Sequence, residues 1–151
     1  MSQTRRKLLV PALLLAAVLL WGLTQKAPQE RIVQKFAADF AGLENCAWLA
    51  LEQGAGASVQ PPEGWRSVMV YKGDAEGMTV DFLHSGSGFG SSSVYRGVVY
   101  VPDDIPLGFQ GQRTEYWKKQ GEGRLYYEPE SDNTCYVERL KPCWYYYEAR
   151  F

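Results

Sequence analysis

An α+β domain behind an N-terminal membrane span is the architecture this sequence predicts. Three observations carry that expectation. A basic flank, Arg5-Arg6-Lys7, abuts the uncharged and almost wholly apolar run Leu8–Leu23. One amphipathic stretch follows at residues 29–53. From residue 65 on come short runs rich in Val, Thr, Tyr and Trp, separated by Gly, Pro, Asn and Asp. One helix ahead of many strands is the α+β pattern.

The apolar run is intermediate in length. A membrane span needs about 17–25 residues, and the apolar region of a cleaved leader about 7–15. Small residues at the −1 and −3 positions of a cleavage site are missing; the nearest pair is Gly22 and Thr24. No cysteine follows the run directly, which excludes a lipid-modified N-terminus. The reading is therefore an uncleaved signal anchor over residues 8–24, with a cleaved leader as the alternative. Positive charge on the short N-terminal side keeps residues 1–7 cytoplasmic and exports residues 25–151. Trp21 falls at the far end of the span, where interfacial aromatics collect. Thr4–Leu9 also resembles a twin-arginine export motif, although paired basic residues are common in ordinary leaders.

The helix expected at residues 29–53 opens after Pro28, a residue suited to a first helical turn. At 100° per residue, Ile32, Val33, Phe36, Phe40, Leu43, Cys46, Ala47, Leu49, Ala50 and Leu51 gather on one arc. Glu30, Arg31, Gln34, Glu44, Asn45 and Glu52 gather on the other. Asp39 points into the apolar arc and Trp48 into the polar one. Gly54-Ala55-Gly56 is a stop signal.

The strands read as follows. In 65–72, Val68 and Val70 alternate with Ser67, Met69 and Tyr71. Gly73–Gly77 is a turn and 78–83 returns as a hairpin partner. Ser85–Ser93 is a Gly/Ser loop, 94–101 a third strand, and 102–111 irregular. Runs at 114–120, 124–128, 134–140 and 143–151 complete an antiparallel meander.

Residues 25–151 hold 13 basic and 17 acidic side chains. That balance excludes the electropositive footprint of a nucleic-acid binder. No cofactor-binding motif occurs. No Cys-x-x-Cys is present and His84 is the only histidine, so no metal site is expected. The string His84-Ser85-Gly86-Ser87-Gly88 places a base near hydroxyls but lacks the Gly-x-Ser-x-Gly elbow of a hydrolase. Asp74-Ala75-Glu76 reads as a turn and not as a calcium loop, which needs six or more oxygen ligands. Asp103-Asp104 reads as a solvated pair. Among Cys46, Cys135 and Cys143, an exported compartment favours one disulfide. The expected pair is Cys135–Cys143 across the Arg139–Pro142 turn, with a Cys46 pairing, or three reduced and buried thiols, as the alternatives.

The aromatic C-terminus, Trp144-Tyr145-Tyr146-Tyr147, is the expected binding surface. Strand alternation puts Trp144, Tyr146 and Glu148 on one face and Tyr145, Tyr147 and Ala149 on the other. A single helix covers only one face, leaving rings with polar tips for a partner; the alternative is a two-sided core with a second layer over the strand. The function expected is a non-catalytic accessory or scaffold subunit of a bacterial envelope assembly. It would sit in the inner membrane by one span, with its domain in the periplasm and an envelope protein as its partner. The alternatives are a cell-wall glycan-binding module using exposed aromatics, and an envelope hydrolase using His84 and a serine. A flat apolar patch would favour a protein partner; a groove with carboxylates would favour a glycan.

Overall fold

The computed structural model describes residues 27–57, 59–72, 77–89, 92–108, 111, 116–128 and 131–151. The expected span at residues 8–24, the turn 73–76 with Asp74 and Glu76, and residues 114–115 of the expected fourth strand lie outside these. Among the described residues, no helix is long and apolar enough to cross a membrane. Internal contacts divide the chain into Met1–Arg31 and Ile32–Phe151. Of the first unit, residues 27–31 are described, and all but Ala27 belong to a helix.

That helix, α1, spans Pro28–Gln53, and the strands are β1 (Ser67–Lys72), β2 (Met78–Ser87), β3 (Val94–Tyr100), β4 (Trp117–Gln120), β5 (Gly123–Tyr127), β6 (Thr134–Lys141) and β7 (Trp144–Arg150). The helix buries Ile32, Phe36, Leu43, Cys46, Ala47 and Ala50. Their three- and four-residue spacing is the narrow centre of the expected arc. Leu49, expected on that arc, is instead exposed, as is Trp48. Gly54 stops the helix with a positive φ of 85°, and its N–H donates to Ala50 O at 3.1 Å. Glycine adopts this left-handed end without steric cost.

Asp39 lies near the apolar arc because it has partners there. Its carboxylate accepts from the Trp65 indole at 3.0 Å and pairs with Lys35 at 2.7 Å. The Lys35 hydrogen bond holds the Asp39 carboxyl below its ordinary pKa, against the opposing effect of desolvation.

All seven strands form one antiparallel sheet in the order β1-β2-β3-β7-β6-β5-β4. The expected meander is therefore two meanders. β1–β3 run outward from one edge, and the chain then passes to the opposite edge and returns through β4–β7 until β7 pairs with β3. β2 continues to Ser87, into the expected Gly/Ser loop. A register shift between Leu83 and Ser85 is the bulge that lets pairing resume beyond His84.

One face of the sheet packs on α1 through Val68, Val70, Val80, Phe82, Val98, Trp144 and Tyr146. Trp144 is the hub, with ring centroids of Phe36, Phe40, Phe82 and Tyr100 at 5.5, 5.9, 5.7 and 5.0 Å. Phe40 in turn carries the Lys141 ammonium 3.9 Å from its ring centroid, a cation–π contact. On the other face, among the described residues, Val101 and Leu107 pack on Tyr145 and Val99 at one end.

The three cysteines are free thiols, which corrects the expected Cys135–Cys143 bridge. Cys135 sits near the start of β6 opposite Ala149, while Cys143 lies in the turn beyond Lys141. Strand rise puts them about 20 Å apart, whereas a disulfide needs Cα atoms within about 7 Å. Cys143 instead holds the left-handed position of the β6–β7 turn, φ 66°.

Asp104, expected as one of a solvated pair, locks that turn from outside. It accepts from the Cys143 N–H at 2.7 Å and pairs with Arg139. The Tyr145 hydroxyl lies 2.7 Å from its carbonyl and 2.9 Å from its carboxylate. Its carboxyl is depressed by Arg139 first and the Cys143 amide second. Burial and the Asp104 hydrogen bond push the Tyr145 phenol up to about 12.

Candidate functional site

The sheet face opposite α1 holds a cavity of about 420 Å³. Every strand residue on its floor comes from the alternation set that points away from the helix. β1 gives Met69 and Tyr71, β2 gives Thr79, Asp81 and Leu83, and β3 gives Tyr95 and Val99. β6 gives Cys135, and β7 gives Tyr147 and Ala149. Leu107, Gly108 and Gly111 close one side. At the opposite end Phe151 packs edge-on against Tyr95, centroids 5.9 Å apart, and exchanges backbone hydrogen bonds with Ser93.

The centre of the floor is a hydrogen bond that crosses a strand. The Tyr147 hydroxyl donates to Asp81 Oδ1 at 2.9 Å. Tyr147 is on β7 and Asp81 on β2, with β3 between them. The ring passes over Gly97, the β3 residue opposite Tyr147 in the register. A Cβ at Gly97 would lie 3.0 Å from the Tyr147 ring and hydroxyl, and would collide with the carbonyl of Phe82. The missing side chain at Gly97 is thus what gives Tyr147 its path to Asp81.

Burial dominates the electrostatics. It raises the Asp81 carboxyl to about 7, against the lowering effect of the Tyr147 hydrogen bond. Tyr147 is pushed well above its ordinary value by burial and then by the Asp81 charge. Burial first, and the same charge second, lifts the Cys135 thiol to about 12 and raises Tyr71. At neutral pH Cys135 is a thiol and not a thiolate, and the thiolate is the nucleophile. Cys135 is therefore not an activated nucleophile. Thr79 adds a buried hydroxyl oxygen without a hydrogen-bond partner among the described residues.

Of the four aromatics expected as a binding surface, one reaches this site. Trp144 and Tyr146 are buried under α1, and Tyr145 is buried beneath Val101 and Leu107. Tyr147, half-buried, is the one that faces the cavity. The expectation of an exposed ring surface along the tail is corrected accordingly: alternation assigned the faces properly, but the segment after β3 covers Tyr145. Asp81 and Gly97 were not expected as site residues. The signal for Asp81 was a carboxylate in an alternating strand on the face shared with Met69 and Tyr71; for Gly97 it was a glycine inside a β-branched run.

His84 packs edge-on against Trp65, centroids 5.5 Å apart, and Trp65 belongs to the helix-side core. It does not line the cavity. Among the described residues, no group of His, Cys, Asp and Glu is placed to hold a metal ion. In comparisons with known proteins, no family model, no curated protein and no solved structure matches this chain.

Proposed function

We propose that the chain is a non-catalytic accessory subunit of a bacterial envelope assembly, anchored in the inner membrane by residues 8–24, with its N-terminus cytoplasmic and residues 25–151 in the periplasm. Its recognition site is the cavity around Asp81 and Tyr147. The observation that supports this most is the asymmetry of the sheet. One face is consumed by α1, while the other keeps an open, aromatic-walled space of about 420 Å³ over a carboxyl group. That volume is within the roughly 300–1,000 Å³ of ligand pockets, which combine apolar walls with few polar groups. The basic-flanked apolar run supports the anchor.

A cell-wall glycan module is the second reading. The concavity favours it, since a protein partner would be expected to meet a flatter apolar patch. Tyr95, 39% exposed at the rim, offers a ring for stacking.

The test is a photo-crosslinker at Tyr95 in the full-length chain, in living cells. A crosslinked envelope component is expected, and it should be lost when Leu83→Trp fills the cavity. A control crosslinker at Trp48, exposed on the helix side of the sheet beside Tyr100, should capture nothing. Capture from Trp48 and not from Tyr95 would move recognition to the helix and sink the cavity reading.

A further inference from the structure

Resting on that cavity as the recognition site, we propose that its ligand is a small organic cation, a protonated amine carried on a compact apolar body. The charge pattern of the walls comes first. Among the described lining residues there is no Lys, Arg or His, and Asp81 is the sole acidic side chain. An anionic ligand would meet a carboxylate with no counter-charge among the described lining residues. A neutral ligand would leave the carboxyl in the protonated form that burial favours, whereas a cation supplies the counter-charge that favours the ionised form.

The geometry of Asp81 comes second. Tyr147 occupies Oδ1, and among the described residues no cation forms an ion pair with Asp81. An ammonium has three N–H donors. One can go to the Asp81 carboxylate, and the buried, unpartnered Thr79 oxygen in the same wall is a second acceptor. Third, Tyr71, Tyr95, Tyr147 and Phe151 make the wall aromatic, and ring faces attract cations. The volume sets the size: one ring with a short chain fills about 420 Å³ together with a few waters.

Cation binding requires ionised Asp81, so affinity falls as pH drops below about 7. The other titratable groups facing it are Tyr71 on β1, Cys135 on β6 and Tyr147 on β7. All are shifted upward by burial and by the Asp81 charge, and stay neutral through the range where Asp81 titrates. β3 contributes Val99, paired with Asp81 in the register, and Tyr95 four residues away along the strand; the described part of the 101–111 segment contributes Leu107, Gly108 and Gly111, which do not titrate.

The experiment is calorimetric titration of the full-length chain in a non-ionic detergent with phenethylamine, 2-phenylethanol and phenylacetate, which share a body and differ in the head. Butylamine and butan-1-ol repeat the comparison with a different body. At pH 8 each amine is expected to bind at least tenfold more tightly than its alcohol, with no binding of phenylacetate. The advantage should shrink by up to tenfold per pH unit below 7. It should vanish in Asp81→Asn, whose amide still accepts from Tyr147; near-ultraviolet circular dichroism checks that it folds. Equal affinity for amine and alcohol, or an amine preference that survives Asp81→Asn, would overturn the cation and leave the cavity as the recognition site. If no probe binds while the Tyr95 crosslink persists, the small cation is wrong and the binding reading stands. If both fail, both fall.

Discussion

Asp81 is the residue on which the site turns, and its burial acts on stability as well as on recognition. Its carboxyl ionises at about 7 in the folded protein, against an ordinary value of 3.8. Between these values the folded state binds more protons than the unfolded one, so Asp81 makes stability fall as pH rises. The favourable contribution is complete below about pH 4 and gone above about pH 7. Asp81→Asn removes the titration and keeps an acceptor for Tyr147. Its stability relative to the parent should therefore rise from near zero at pH 4 to a ceiling of about 4 kcal/mol at pH 8. Urea melts of the two proteins at both pH values measure this. Asp39, Asp104 and Glu148, whose carboxyls are depressed, shift the parent and the variant alike and cancel in the difference. A constant difference across the range would show that Asp81 is not held in a desolvated position. The cause of the shift differs between the two sites: the ion pair with Arg139 lowers the Asp104 carboxyl, whereas burial raises that of Asp81.

Cys143 carries the corresponding argument for the elements. The β6–β7 turn needs a left-handed residue at its last position, and Cys143 occupies it with φ 66°. A non-glycine residue there costs about 1–3 kcal/mol. Cys143→Gly keeps the N–H that donates to Asp104 and relieves the strain, but it loosens the unfolded chain. A net gain of about 0.5–1 kcal/mol is expected in a urea melt; destabilisation would mean that the thiol contact to Pro102 O at 3.6 Å outweighs the backbone.

The elements themselves were legible in the sequence. The helix expected at 29–53 is 28–53, and runs such as Thr134–Leu140 fall on observed strands, because period and turn residues are local properties. The two faces of β1 and β7 were legible for the same reason. Strand order was not. Nothing local in 101–116 states that the chain crosses to the far edge before β4, and that crossing is what buries Tyr145 and closes one side of the cavity. The cysteine pairing failed for a related reason: the separation of Cys135 and Cys143 looked like that of a turn, but most of it is extended strand. The Tyr147–Asp81 bond joins residues 66 apart through a third strand, and only the register brings them together.

At the scale of the molecule, the sheet separates two interiors that differ in how tightly they are closed. The helix side contains a continuous aromatic and aliphatic cluster around Trp144. Among the described residues, the opposite side is closed by Val101, Leu107 and Tyr145 at one end and by the small Cys135–Val137–Ala149 cluster, with Trp117 and Tyr126 packed against it. Few buried contacts mean a lower free energy of local opening. The three thiols report on this separately. Cys46 belongs to the helix-side cluster and Cys135 to the cavity side, both buried, while Cys143 is half-buried in the turn. Maleimide labelling of the native full-length chain should therefore proceed in the order Cys143, Cys135, Cys46. The raised Cys135 thiol slows its own step at any given pH, so the comparison is made as protection relative to the unfolded chain in urea. Cys46 should label no faster than the protein unfolds globally, because its exposure requires parting α1 from the sheet. Cys135 should label faster than that limit, and Leu83→Trp, by filling the cavity, should slow Cys135 and leave Cys46 unchanged. Equal protection of Cys135 and Cys46 would mean that the two sides open together, as one cooperative unit. The cavity would then be a fixed feature of the core, and a ligand could enter only through its existing mouth beside Tyr95.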